Sequence, residues 1–477
     1  MPKLSNARLP EDATTRRQLH DEVHARPVAR IRIPALVTHI AVLHDDVPVD
    51  VERDHLRDLV GSAGGHADFG DPTFVQVPLP DFTIRWERHG EFSLYSVIQP
   101  VDQERLLDNA PVPTAPEPLG EDRACDPEPE AGPATGTGPG TGAEDGTGPD
   151  TAPDLLATVP VPGTWLSTLP GRTISAMQVL VLRADGRDGN ALAEDARRML
   201  GPERLYGSSV KDGTARLFTT YRLTPDGTSR FLFWCHDVTD GRAGRMVASL
   251  TELETYRLLA MQAFRPARAV AATLPRVESR LAELTRTLET GSDQDETLLH
   301  DLIQLAAEIE TDLAEHTTRF AATRAYFGIA EQRIDDLRGT SLPGMMGVFT
   351  FLRRRLLPAM ATVESTARRL SDLSERVDRA GDLLRTRVGI TTETQNQELL
   401  RSIGRGQRLQ LRLQETVEGL SIAAITYYVV GLAGYAGKGV KALGVPVNTE
   451  LFTGASVPVA AALVWWTLRR VKARLHD

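Results

Sequence analysis

Two histidines four residues apart, His20 and His24, bracket two acids in the run His20-Asp21-Glu22-Val23-His24. On a helix that spacing puts both imidazoles on one face, the arrangement zinc hydrolases use to hold their metal. Those enzymes place the general-base glutamate directly after the first histidine. Here Glu22 stands third in the run, on the wrong part of a helix to act as base. The alternative is a hydrogen-bonded knot in which Arg26 pairs with Asp21 or Glu22. His20, Glu22, His24 and Arg26 are therefore expected to form a structural motif, and their spacing assigns no metal. A second charged run, Trp86-Glu87-Arg88-His89, falls in a strand and hairpin turn, where alternating charge is expected to be a solvated face. No phosphate-binding loop, dinucleotide fingerprint, nucleophile elbow or kinase set occurs, so no catalytic residue, no cofactor and no enzymatic activity are expected. Cys125 and Cys235 are the only cysteines, too few for a disulfide framework or a cysteine-based zinc site.

The elements that must position such residues are ordered around two uncharged apolar runs near the C-terminus, Gly419 to Gly437 and Leu451 to Leu468. Each has about the 18 to 20 residues a helix needs to cross hydrocarbon. They read as a transmembrane hairpin, with a buried helical hairpin of a soluble protein as the alternative. Tyr427 and Tyr428, and more clearly Trp465 and Trp466 followed by Arg469 and Arg470, suit the membrane interface. Gly419 with Ala423 and Ala433 with Gly437 give the small-residue spacing that lets helices approach closely in lipid. Arg401, Arg405, Arg408 and Arg412 precede the first run, and Arg469, Arg470, Lys472 and Arg474 follow the second. The loop between them has only Lys438 and Lys441. The asymmetry predicts a multi-pass protein of the inner (plasma) membrane with both termini cytoplasmic. Neither run contains Asp, Glu, Lys, Arg or His, so a pore through them would be lined by Ser421, Thr426 and backbone carbonyls.

The 477 residues allow two or three domains, and the net charge of −10 with no basic, aromatic-interleaved patch argues against a nucleic-acid partner. The start of the chain, Met1 to Gln18, is polar and lacks the apolar core of a cleavable signal. Strand-like runs cover Leu36 to Leu43, Thr83 to Arg88 and Phe92 to Ile98, then Thr173 to Leu182, Ala215 to Leu223 and Ser229 to Cys235, the last two joined by the turn Pro225-Asp226-Gly227. Helices are predicted over Pro48 to Val60, with Val51, Leu56, Leu59 and Val60 inward, and over Ala191 to Leu200. Between these halves, Asn109 to Asp154 is rich in Pro, Gly, Thr and acids and cannot bury enough apolar surface to fold. It reads as a disordered insertion in one α/β domain, with two small domains as the alternative.

From about Arg242 helical periodicity takes over. Phe349, Leu356, Val363, Leu370, Val377 and Leu384 recur every seven residues, with Leu352, Ala359, Leu373 and Ala380 at the complementary position and Thr366 as a polar exception. Whether that seam closes within one chain or between chains is open, and the polar stretch with Gly389, Gly404 and Gly406 suggests a kink nearer the membrane. The expected architecture is an α+β cytoplasmic domain (1–240, with the acidic insertion 109–154), a long helical stalk (241–416), and a two-helix C-terminal transmembrane hairpin with a basic tail (417–477).

Leu19 to Pro27 (LHDEVHARP), Arg85 to Phe92 (RWERHGEF) and the C-terminal hairpin with its tryptophan pair resemble a bacterial family of membrane-anchored proteins known only as a domain of unknown function. The resemblance spans most of the chain, with the acidic linker as a departure, and implies a membrane anchor but no activity. The order of elements also resembles CorA-type divalent-cation transporters, which have a cytoplasmic α/β domain, long stalk helices, two C-terminal spans and a basic tail. In that family the first span lines a homo-oligomeric pore and ends in Gly-Met-Asn. Here the corresponding end reads Gly434-Tyr435-Ala436-Gly437-Lys438, without the motif, and the two loop lysines would repel a cation. Two functions of different class follow: a CorA-like homo-oligomeric channel or transporter, or a membrane-tethered cytoplasmic binding or scaffold module.

Overall fold

The computed structural model describes residues 15, 27–67, 70, 73–110, 159–290, 295–442 and 448–474. The chain divides into two compact units, Met1–Glu283 with Gln304–Arg376, and Leu284–Ile303 with Val377–Asp477.

The first unit is organised by a nine-stranded mixed sheet. Its opening half runs β1 (Ala35–Leu43), α1 (Val49–Ser62), β2 (Phe74–Pro78), β3 (Thr83–Arg88) and β4 (Phe92–Pro100). Two short helices, α2 (Gln103–Asp108) and α3 (Gly163–Ser167), precede the second half, which repeats the same succession as β5 (Arg172–Arg183), α4 (Gly189–Leu200), β6 (Tyr206–Val210), β7 (Ala215–Leu223) and β8 (Ser229–Cys235). With a short ninth strand, β9 (Thr340–Ser341), at one edge, the strand order β2-β3-β4-β1-β5-β8-β7-β6-β9 places β1 and β5 side by side and sends the corresponding strands of each half outward in the same sequence. Strands from both sides of the acidic stretch thus share one sheet. The halves differ in strand direction: β4 runs antiparallel to β1, whereas β8 runs parallel to β5.

The two βα turns are built alike. Asp45 (φ 40°) and Asp185 (φ 43°) each take the left-handed conformation that short polar side chains tolerate best after glycine. The offset that carries Asp45 to Asp185 also carries Glu52 to Leu192, Leu56 to Ala196, Leu59 to Met199 and Val60 to Leu200, and every one of these is buried. Val51, expected to face inward, is instead 48% exposed, and the acid beside it takes the inward position.

β1 and β5 lie at the centre of the sheet, covered on both faces, which is why ALVTHIAVL reads as a nearly continuous apolar run rather than an alternation. One face packs Val37, Val179 and Phe233 against α5 (Asp240–Met261) through Met246, Leu250 and Leu253. The other packs Leu180 and Trp234 under α4, and Trp86 and Val97 under α1. On α5, Gly244 has no room for a side chain, because a Cβ there would lie 1.8 Å from the carbonyl oxygen of Ala29. The segment before β1 is held against this helix, with the Ile31 amide donating to the Asp240 carbonyl at 3.1 Å. Gly244→Ala should therefore lower the urea midpoint by the equivalent of about 2 kcal/mol. Gly61→Ala, where nothing lies within 4 Å, should not.

Long helices follow: α6 (Phe264–Thr290), α7 (Asp295–Leu337), the short β9 (Thr340–Ser341), α8 (Val348–Ala442) and α9 (Thr449–Arg474). The heptad positions Phe349, Leu356, Val363, Leu370, Val377 and Leu384 are all buried, as are Leu352, Ala359, Leu373 and Ala380. In the first unit that seam is filled from within the chain, where Leu356, Ala359 and Val363 meet Ala260, Ala267 and Phe320. Thr366 is tolerated in the seam because its hydroxyl donates to the Thr362 carbonyl one turn back, at 2.8 Å. Gly389, Gly404 and Gly406 do not interrupt the helix.

Candidate functional site: a buried carboxylate and the polar pocket beside it

Glu52 is fully buried on the inner face of α1. Its carboxylate accepts from Trp86 Nε1 at 2.9 Å, from Ser93 Oγ at 2.7 Å, and from the Arg88 guanidinium. Strand geometry dictates this convergence. Trp86 and Arg88 are two residues apart on β3 and so share a face, and Ser93 on β4 stands directly opposite Arg88 in the register. Three donors, one of them charged, offset the desolvation of the carboxylate. The corresponding position in the second half is simply Leu192, so the ionic cluster belongs to one half only.

The cluster leads to a pocket. Arg88 also donates to the Val47 carbonyl at 2.8 Å, and its Nη2 lies 3.4 Å from His44 Nδ1. His44 Nε2 lies 3.0 Å from the His89 carbonyl, which places a proton on Nε2, while Nδ1 lies 3.4 Å from both Arg88 Nη2 and the Asp45 carbonyl. On its other side His44 lines a polar pocket of about 190 Å³. Two ion pairs border it: Asp45 with Arg172 at 2.7 Å and Glu91 with Arg319 at 2.8 Å. Gln262, at the end of α5, contributes an amide nitrogen that is shielded from solvent and has no protein partner. The pocket thus presents donors and acceptors in balance and no nucleophile. No group of three His, Cys, Asp or Glu able to hold a metal occurs among the described residues.

The strand motif is therefore not the solvated face its charge pattern suggests. Trp86 is fully buried and Arg85 is 9% exposed. Arg85 lies 4.8 Å above the Phe74 ring, pairs with Glu87 at 2.5 Å, and donates to the Pro27 carbonyl. Pro27 closes the LHDEVHARP run, so the two sequence motifs meet at this bond. His20, Glu22, His24 and Arg26 lie outside the described residues.

A second titratable group escaped the sequence reading. His39, at the centre of β1, is buried, with Nδ1 2.8 Å from Ser96 Oγ and Nε2 3.4 Å from Thr255 Oγ1. Burial drives its pKa down to about 4, against the smaller upward pull of Glu87. Nothing in a single sequence separates such a histidine from a surface one. Glu52 did carry a signal: it stands four residues before Leu56 and seven before Leu59, on the apolar stripe.

In the second unit α8 carries the first apolar run. It is the one helix among the described residues long and apolar enough to cross a membrane, and no residue between Gly419 and Ala436 is buried. Ser421 and Thr426 are half-buried, and the Thr426 hydroxyl is shielded without a partner. A Cβ on Gly434 would meet Thr453 at 3.4 Å and one on Gly437 would meet Phe452 at 3.1 Å, so these glycines face α9. Trp465 and Trp466 are half-exposed, and the Arg470 guanidinium lies 5.0 Å from the Trp466 ring. The Arg469 side chain lies outside the described residues.

These features define a mixed-sheet domain of two βαβββ halves that carries long helices, one of them bearing an exposed apolar stretch. The model of the family described as a protein of unknown function (DUF3422) matches residues 11–123 and 141–475, and the chain belongs to that family. The match breaks only within the acidic stretch. No curated protein and no solved structure matches the chain, so the likeness to CorA-type transporters gains no support there.

Proposed function

We propose that the protein is an integral protein of the inner (plasma) membrane with both termini cytoplasmic, in which the sheet domain is a binding or scaffold module tethered by the two C-terminal helices. The observation that carries this reading is the absence of any buried residue between Gly419 and Ala436. A core helix of a soluble protein would hide such a run, whereas a lipid-facing helix leaves it bare. The contacts of Gly434 and Gly437 with α9 support a paired second span over Leu451 to Leu468. The bilayer is then the first partner, and neither nucleic acid nor a cofactor enters.

A homo-oligomeric channel or transporter is the second reading, and one observation favours it. Thr426 carries a hydroxyl on the length of α8 where no residue is buried, which suits a position facing other subunits around an axis. Against it, the heptad seam of the first unit closes within one chain and calls for no neighbour. Native mass measurement in detergent, paired with ion flux in liposomes for wild type and Thr426→Leu, separates the two. The tether predicts a monomer or dimer without flux. A larger ring whose flux changes with Thr426→Leu would replace it with the channel.

A further inference from the structure

Four arginines on α8, Arg401, Arg405, Arg408 and Arg412, are spaced four, three and four residues apart. At 100° per residue they form one stripe within roughly 60° of the helix surface. No acid occurs between Glu398 and Glu415, so the stripe is an uncompensated positive block. All four are exposed, and none of their guanidinium groups meets a carboxylate among the described residues. Earlier on the same helix the pattern differs. Arg353 reaches Asp335 at 2.5 Å, Arg368 reaches Glu364 at 3.3 Å, Arg369 reaches Glu278 at 2.9 Å and Arg385 reaches Asp382 at 3.6 Å.

The opposite side of the same stretch is uncharged and bare: Leu399, Ile403, Leu413 and Val417 are 49–60% exposed, interleaved with Gln410 and Gln414. An uncompensated cationic stripe on a helix that runs without a break into an apolar stretch has the composition of a basic segment beside a membrane span. Its position agrees. Arg412 precedes Gly419 by seven residues and Arg401 by eighteen, roughly 10 Å and 27 Å of helix, so Arg412 and Arg408 stand nearest the leaflet and Arg401 lies more than a Debye length from it at physiological ionic strength.

We propose that the Arg401–Arg412 stripe binds the anionic headgroups of the leaflet that α8 enters, so that the protein selects acidic phospholipids such as phosphatidylglycerol for its boundary. The inference rests on the membrane reading of Gly419 to Gly437. Charge complementarity and continuity with that run favour a lipid surface over a second copy of the chain, which would bring an identical positive stripe against this one.

The test reconstitutes the full chain in phosphatidylcholine nanodiscs carrying spin-labelled phosphatidylglycerol or spin-labelled phosphatidylcholine and compares the fractions of motionally restricted lipid. Wild type should prefer the acidic lipid by about fivefold, the factor that one arginine at a headgroup supplies, and the preference should shrink in 1 M salt. Replacing all four arginines by glutamine should bring the ratio at least halfway to unity on a logarithmic scale, and replacing them by lysine should preserve it. Equal restriction of the two lipids by wild type, or a ratio unchanged in the glutamine variant, overturns the proposal. So does efficient disulfide formation between copies at Ile403→Cys in the same discs, which would assign the face to a second chain. Failure of the wild-type chain to enter nanodiscs would instead reject the membrane reading on which the proposal stands, and the proposal with it.

Discussion

Replacing Glu52 by alanine is expected to lower the stability of the sheet unit by about 3–5 kcal/mol, the range for removing one partner of a buried ion pair. The Arg88 side chain is only 17% exposed, and its partner Glu52 is fully buried, so the substitution removes a buried ion pair. Trp86 Nε1 and Ser93 Oγ would lose the acceptor that satisfies them inside the core. Glu52→Gln retains an acceptor and the shape, and should be milder. Leu192 occupies the equivalent place in α4, so an apolar side chain fits such a helix position once the facing cation is gone. Glu52→Leu combined with Arg88→Leu should therefore recover much of what Glu52→Leu alone loses. Denaturant unfolding of wild type, Glu52→Leu, Arg88→Leu and the double variant, followed by tryptophan fluorescence, reads this cycle, with Glu52→Ala and Glu52→Gln measured beside it. A loss below about 1 kcal/mol in Glu52→Ala would show that the cluster does not hold α1 to the sheet.

Acidification should remove about 3 kcal/mol through His39 alone. The native imidazole is held neutral down to about pH 4, while the unfolded chain takes up its proton near 6.5. Below 6.5 only the unfolded state gains a proton, so stability is complete above that pH, declines as pH falls, and levels off near 4 with respect to this group. Asp226 acts lower on the scale. Its pKa lies below 3.8 because bonds from Thr224 and Thr228 and the charge of Arg230 outweigh its burial, so its contribution is lost only under more acid conditions. His39→Gln, with an amide in reach of Ser96, should flatten the stability profile between pH 6.5 and 4. An unchanged slope in that variant would reassign the acid sensitivity to other groups.

The strands, the Pro225-Asp226-Gly227 turn and the heptad seam were legible because each follows from a local rule: alternation, turn chemistry or a sevenfold apolar period. The doubling of the sheet was not. It rests on matching backbone turns at Asp45 and Asp185 and on buried positions that share size rather than identity, such as Leu56 with Ala196. The polar cluster was misread for a related reason. An acid on an amphipathic helix defaults to the solvent side, and only the partners delivered by β3 and β4 make the inward position of Glu52 favourable. RWERHGEF likewise spends its charges on tertiary contacts, Arg85 with Pro27, Arg88 with Glu52 and Glu91 with Arg319, that no local pattern announces.

The claim on which the functional account turns is that Gly419 to Gly437 lies in a bilayer, and alkaline carbonate extraction of membranes containing the full chain tests it most directly. High pH strips proteins held by charge alone, including any held only by the arginine stripe, and leaves those held by buried apolar helices. The full chain should stay in the pellet, while a chain ending at Gln414 should be released. Recovery of the full chain in the supernatant would contradict it.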